Sequence, residues 1–166
     1  MCGIAGIIDF RGRPIEEALL HRLNACLAHR GPDDRGVLVH KADGFTAGLA
    51  HTRLAVIDPT PDARQPMTDP RGRPVLHALI QWGPDALRRF DGMWALACLD
   101  LETHAGQLSR DPMGVKPLFY AVHEDRLVFA SELNALRTVP GIPLDIDQEA
   151  LDVYLNLGFI PHPCTI

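Results

Sequence analysis

No run of lysine or arginine gathers anywhere in this chain, and its formal net charge at pH 7 is −5. A basic face is the electrostatic footprint of nucleic-acid binding, so nucleic acid is not expected as a partner. The four cysteines, Cys2, Cys26, Cys98 and Cys164, contain no C-x-x-C pair. A disulfide framework is therefore not expected, and a reduced, cytoplasmic protein is the natural reading. The eight histidines lack paired spacing such as H-x-x-x-H, and no metal site is predicted. No segment approaches the length of a bilayer span, so no membrane is expected as a partner. The first apolar stretch, Ile4 to Ile8, is too short for a secretory h-region and has no basic lead. Residue 2 is not glycine, which excludes myristoylation, and only two residues follow Cys164, one short of a C-a-a-X box. Internal repeats and low-complexity segments are also missing.

What is present is a globular composition. Hydrophobic residues make up 46% of 166 residues and charged residues 22%, enough for about one domain with a core of its own. Ile4 to Ile8 reads as a short strand whose small residues permit close backbone approach. From Glu16 to Ala28 apolar residues recur at Leu19, Leu20, Leu23, Cys26 and Leu27, the spacing of an amphipathic helix. The His29-Arg30-Gly31-Pro32-Asp33 sequence stops it. Gly36 to His40 and Ala47 to Ile57 read as strands, with Asp43-Gly44 as the hairpin signal between them.

Asp58 to Pro74 is rich in Pro, Asp, Arg and Gly and reads as irregular. Val75 to Phe90 reads as a helix interrupted near Gly83-Pro84. Met93 to Leu99 is a nearly continuous apolar run, which predicts a strand covered on both faces. Further strands are expected at Gln107–Arg110, Leu118–Val122 and Leu127–Ala130. Ser131 is placed to cap a short helix running to Arg137, and Gln148 to Leu157 predicts another helix. Strands in blocks with helices at the ends read as α+β and not as βαβ alternation.

Cys2 raises a chemical question of its own. If Met1 is removed, the thiol and a free α-amine share one residue. A free thiol titrates at about 8.5 and an α-amino group at about 7.7–8.0, so the amine can take the sulfur's proton near neutral pH. A terminal cysteine then carries its own general base, as N-terminal threonine nucleophiles do. The plain alternative is a buried, inert residue at the start of the first strand.

The neighbours favour chemistry. MCGIAGI at the start, HRGPDD at 29–34, AHTRLAVID at 50–58, QPM at 65–67, RDPMGVKPLFY at 110–120 and FASELNAL at 129–136 stand in this order. Together they resemble the glutamine amidotransferase domain of the asparagine synthetase family, the class II or N-terminal-nucleophile type. The resemblance implies a four-layer α/β/β/α sandwich of two antiparallel sheets over residues 1–146, with residues 147–166 starting a linker toward a synthetase domain. It implies L-glutamine as substrate and Cys2 as the nucleophile that forms a thioester and releases ammonia. Arg53 matches the arginine that holds the substrate α-carboxylate, for which a guanidinium fork is well shaped. Leu54, Ala55, Val56 and Ile57 match the rest of that binding stretch. No cofactor is implied for this domain, because ATP and Mg belong to the synthetase domain. A homodimer is a further partner of the kind the family commonly forms. HRGPDD and RDPMGVKPLFY are read as structural, with Arg30, Asp33 and Asp34 able to form local ion pairs near the site.

One departure from the family pattern bears on activity. Family members carry an Asn-Gly-Glu strand after Q-P-M and then a helix, whereas here Thr68 to Pro74 leads directly into Val75. A strand-and-helix unit on the order of thirty residues is missing. Its Asn and Gly supply the family's oxyanion hole, and removing one such donor typically costs about 10²–10³ in rate. Two readings stay open: the unit belongs to the natural molecule but not to this sequence, or the domain has lost it and serves as a catalytically silent scaffold or dimerisation module.

Overall fold

The computed structural model describes residues 1–56, 58–67, 74–161 and 164–165. Its main sheet has five strands in the order β2-β3-β1-β7-β6. These are β1 (Gly3–Asp9), β2 (Asp34–Ala42), β3 (Phe45–Arg53), β6 (Phe119–His123) and β7 (Arg126–Ala130). A second sheet holds β4 (Ala95–Leu99) and β5 (Gly106–Arg110). Every strand pair in both sheets is antiparallel. The described residues also form four α-helices, α1 (Glu17–Cys26), α2 (Pro74–Trp82), α3 (Leu133–Leu136) and α4 (Gln148–Leu157), and two 3-10 turns at Pro61–Ala63 and Gly83–Arg89. The fold is α+β with two antiparallel sheets. No helix among the described residues is long and apolar enough to cross a membrane.

Alternation along β1 explains how one strand serves two layers. Ala5 and Ile7 join Leu20, Leu23 and Leu27 of the α1 region, together with Val128, Ala130 and Leu136, in the larger core. Ile8 points to the opposite face and packs with Phe45 and Ala47, against which Leu99 of β4 is laid. Leu20, Leu23 and Leu27 are fully buried, and each such side chain contributes about 1.5–3 kcal/mol. Gly6 lets the β1 backbone pass Phe129, since a Cβ there would stand 2.4 Å from the ring.

Three local expectations are corrected. The strand expected to run to Ile57 ends at Arg53; β1 begins at Gly3, opposite Thr52, and β2 begins at Asp34, opposite Arg53, so no ladder remains beyond. Ile57 itself lies outside the described residues, as do residues 68–73. The Met93–Leu99 run forms a strand only from Ala95, half-buried along its length, while Met93 is exposed. No residue of β4 is fully buried, so the run is not fully covered on both faces. Ser131 does not cap α3. Its hydroxyl accepts from the Ile4 N–H at 3.0 Å, and its own N–H donates to the Ile4 carbonyl at 2.8 Å. By contrast α4 matches its predicted span. Asp147 caps it by accepting from the Glu149 and Ala150 N–H groups, and Gly158 ends it in the left-handed region.

Candidate active site

The register of two strands assembles the site. Gly3 pairs with Thr52, so the residue before Gly3 falls beside the end of β3. The Leu54 N–H donates to Cys2 Sγ at 3.3 Å, and the thiol lies 3.6 Å from the Leu54 carbonyl. Gly3 is required for this closeness: a Cβ would meet Thr52 Oγ1 at 2.8 Å and Leu27 Cβ at 3.1 Å. Cys2 is exposed, so sequence proximity to a buried strand does not bury the thiol.

Arg30 anchors the other side of Cys2. Its Nε donates to the Cys2 carbonyl at 3.2 Å, and its Nη1 reaches Glu132 Oε1 at 3.1 Å. His29 Nε2 meets the same carboxylate oxygen at 2.8 Å. Burial alone would raise the Glu132 carboxyl, but the bonds from His29 and Arg30 outweigh it and hold it below the usual range.

Arg53, the last residue of β3, is buried. Its Nη1 donates to the Thr60 carbonyl at 2.9 Å and its Nη2 to the Asp58 carbonyl. A guanidinium has five N–H donors, so these two contacts leave others for a ligand. After Arg53 the chain is irregular through Leu54, Ala55 and the exposed Val56. Asp33 fixes that stretch. Its N–H donates to the Arg53 carbonyl at 3.0 Å, and its Oδ2 accepts from the Ala55 N–H at 2.7 Å. Gly31 brings this turn against β3, for a Cβ there would stand 2.4 Å from Arg53 N. The HRGPDD motif, read from sequence as a helix stop, thus builds the wall of the site. Its Asp33 and Arg30 were not recognisable as such from spacing, because their partners lie 22 and 28 residues away.

A cleft of about 540 Å³ joins these groups, with Cys2, Arg30, Arg53, Leu54, Trp94 and Lys116 in its lining. His51 of β3 also reaches it and is buried. Burial first, and the Arg53 charge second, lower its pKa to about 4, so it is neutral near pH 7. Lys116 enters from the β5–β6 loop, where Asp111 holds the backbone by accepting from the Val115 and Lys116 N–H groups, both at 2.9 Å. The cleft therefore presents a thiol, cations suited to a carboxylate and a backbone donor at the sulfur. Among the described residues no group of three His, Cys, Asp or Glu side chains could hold a metal ion.

Comparison with known proteins fits this geometry into a family. A family model described as a glutamine amidotransferase domain matches residues 1–77 and 73–166. The chain is 29% identical to a putative glutamine-hydrolysing asparagine synthetase of Methanocaldococcus jannaschii, covering all of this chain and 41% of that protein. It is 27% identical to asparagine synthetase 1 of Bacillus subtilis, covering all of this chain and 31% of the relative. An amidase of Gibberella zeae, chry2, is 26% identical over 81% of the chain. The chain thus spans well under half the length of these relatives. The M. jannaschii alignment runs over 212 residues, against 166 in the chain, so about 46 aligned positions have no counterpart here. The family match itself divides at residues 73–77.

Proposed function

The chain belongs to the glutamine amidotransferase domain family, and from that premise we propose that it hydrolyses glutamine to glutamate and ammonia through a thioester at Cys2. Removal of Met1 frees the Cys2 amine, which takes the thiol proton. The thiolate attacks the side-chain amide carbon of glutamine, and the ammonium group returns the proton to the departing ammonia. Water, deprotonated by the same amine, then cleaves the thioester to glutamate. Arg53 takes the substrate α-carboxylate with the N–H groups not engaged by Asp58 and Thr60, and the backbone of residues 54–57 lines the same subsite. The observation that carries this reading is the Leu54 N–H set 3.3 Å from Cys2 Sγ, one residue from Arg53.

Residues 1–146 form the glutaminase unit in this reading, with residues 147–166 leading toward a synthetase domain that holds ATP and Mg. No cofactor is used in the glutaminase unit itself. The helices α1 and α3 pack on the five-stranded sheet and β4 meets β1 on its other side; the four-layer α/β/β/α sandwich is the arrangement this reading expects. The ammonia is consumed by amidation of a carboxylate, as the names of the synthetase relatives imply. A second reading, a silent scaffold of the same fold, is favoured by the aligned positions without counterpart and by the division of the family match at residues 73–77.

The test uses the Met1-free protein incubated with glutamine and, separately, with a thiol-alkylating glutamine analogue. Glutamate release and labelling confined to Cys2 are expected, and Cys2→Ala loses both. Neither event in the unmodified protein would leave the scaffold reading in place.

A further inference from the structure

This inference rests on the proposed function, in which the Cys2 amine is the base. That role poses a difficulty. An α-amino group titrates at about 7.7–8.0, so near neutral pH most of it already carries the proton it should accept. A general base works best with a pKa near the operating pH, and a neighbouring group is needed to bring it there.

Lys116 is placed to do so. Its Nζ lies 3.2 Å from Met1 Sδ, and Met1 is the residue bonded to the Cys2 nitrogen. Met1, Cys2 and Lys116 line the same cleft. The backbone of Lys116 is fixed by the buried Asp111 carboxylate, with Pro117 next in the chain. No carboxylate lies within ion-pair distance of the Lys116 ammonium among the described residues.

We propose that Lys116 lowers the proton affinity of the Cys2 α-amine once Met1 is removed, keeping that amine neutral and able to accept the thiol proton. Departure of Met1 takes away the sulfur that the ammonium contacts and leaves a second amine in its surroundings. Two like charges in one cleft disfavour the protonated form of the weaker base. Through partly screened solvent the effect is about 0.5–1 pH unit.

The other charges around the terminus are accounted for. Arg30, just past α1, touches the Cys2 carbonyl but is paired with Glu132. Arg53 at the end of β3 is engaged by the carbonyls of Asp58 and Thr60. Asp58 also lines the cleft, Asp33 accepts from Ala55, and His51 is neutral. All of them stay in place when Lys116 alone is changed.

The experiment is an NMR titration of the Cys2 α-amine, isotope-labelled, in chain prepared by cleaving an N-terminal extension so that Cys2 comes first. Lys116→Met, which keeps the length and removes the charge, should raise the amine midpoint by about 0.5–1 pH unit at low salt. Lys116→Arg should leave it near the unmodified value, and 1 M salt should shrink the Lys116→Met difference, as expected for screening. Lys116→Gln gives a second charge-removing variant should the methionine variant not fold. Equal midpoints in the unmodified and charge-removed proteins overturn the proposal. The titration needs no glutamine, so a shifted midpoint without glutaminase activity would overturn the proposed function alone.

Discussion

The backbone N–H of Leu54 points at the sulfur of Cys2 across 3.3 Å. This single contact links the first residues of the chain to the end of β3, fifty-two positions away. It is also the donor that would steady a thiolate. Replacing Leu54 by Pro removes that N–H and nothing else polar. Alkylation of Cys2 by iodoacetamide should slow about 2- to 10-fold, the worth of one net hydrogen bond. Mass spectrometry that resolves Cys2 from Cys26, Cys98 and Cys164 reads this directly, with the other three as internal controls.

Asp33 holds the stretch after Arg53 through its 2.7 Å bond from Ala55. Asp33→Ala leaves that N–H unpaired and loosens residues 54–56. Glutamine binding to a Cys2→Ala background should weaken about tenfold, since hydrogen bonds to charged groups are worth about 1.5–3 kcal/mol. Calorimetric titration with glutamine measures it, and an unchanged affinity would mean that this wall does not shape the subsite.

Gly31 predicts a loss of stability, not of binding alone. A Cβ there meets Arg53 N and Thr52 C at 2.4 Å, and both are backbone atoms of β3. Neither can rotate away as a side chain tip could, so Gly31→Ala should cost about 2–4 kcal/mol. Urea unfolding monitored by circular dichroism gives the number.

Much of this architecture is legible in the sequence, and the failures have physical reasons. Apolar spacing places α1, because that helix buries one face and declares it locally, and Asp147 and Gly158 mark the ends of α4. The end of β3 is not legible, because Arg53 is followed by residues with good strand propensity. What stops the strand is the start of β1 and β2 on either side. Ser131 carries a local capping signal, yet its hydroxyl binds Ile4, 127 residues away. The continuous run Met93–Leu99 reads as a doubly covered strand, but burial depends on what packs above and below the sheet, which composition does not record. Cys2 and Arg53 are picked out by family resemblance. Asp33, His51 and Lys116 gain their meaning only from contacts across the sheet and its loops.

Asp9 fastens β1 to β7 and to the turn after β1. Its fully buried carboxylate accepts from the Arg11 and Arg13 N–H groups, from Arg13 Nε at 2.7 Å and from Arg126 Nε at 2.6 Å. Burial would raise its pKa, but these donors outweigh it and bring it to about 2. The folded value is below the unfolded one, so the stabilisation is complete above about pH 4 and lost as pH falls through about 2. Asp9→Asn should cost about 2 kcal/mol at neutral pH, a figure reduced for the partial exposure of both arginines. The gap between variant and unmodified protein should close in acid, as read by unfolding curves across pH.

His51 gives a second pH signature in a different window. It sits on β3 beneath the cleft, buried, with a pKa lowered to about 4 by burial and then by Arg53. Unfolded, the same imidazole titrates near about 6.5. Between those values the unfolded chain binds a proton that the folded chain refuses, so stability rises with pH across the window. Above about pH 6.5 the neutral ring costs nothing. As pH falls toward about 4 the loss grows to a ceiling on the order of 3 kcal/mol. His51→Gln keeps a polar side chain of similar reach but cannot titrate, so its stability should stay level from about pH 7 to pH 4.5 apart from the carboxylate contributions common to both proteins. Because His51 borders the cleft, the same titration should loosen the β3 end that carries Arg53. Glutamine affinity of the Cys2→Ala protein should therefore fall with acidification in the native-histidine background and fall less in His51→Gln. Parallel pH profiles in the two backgrounds would show that His51 stays neutral for reasons unconnected with the cleft.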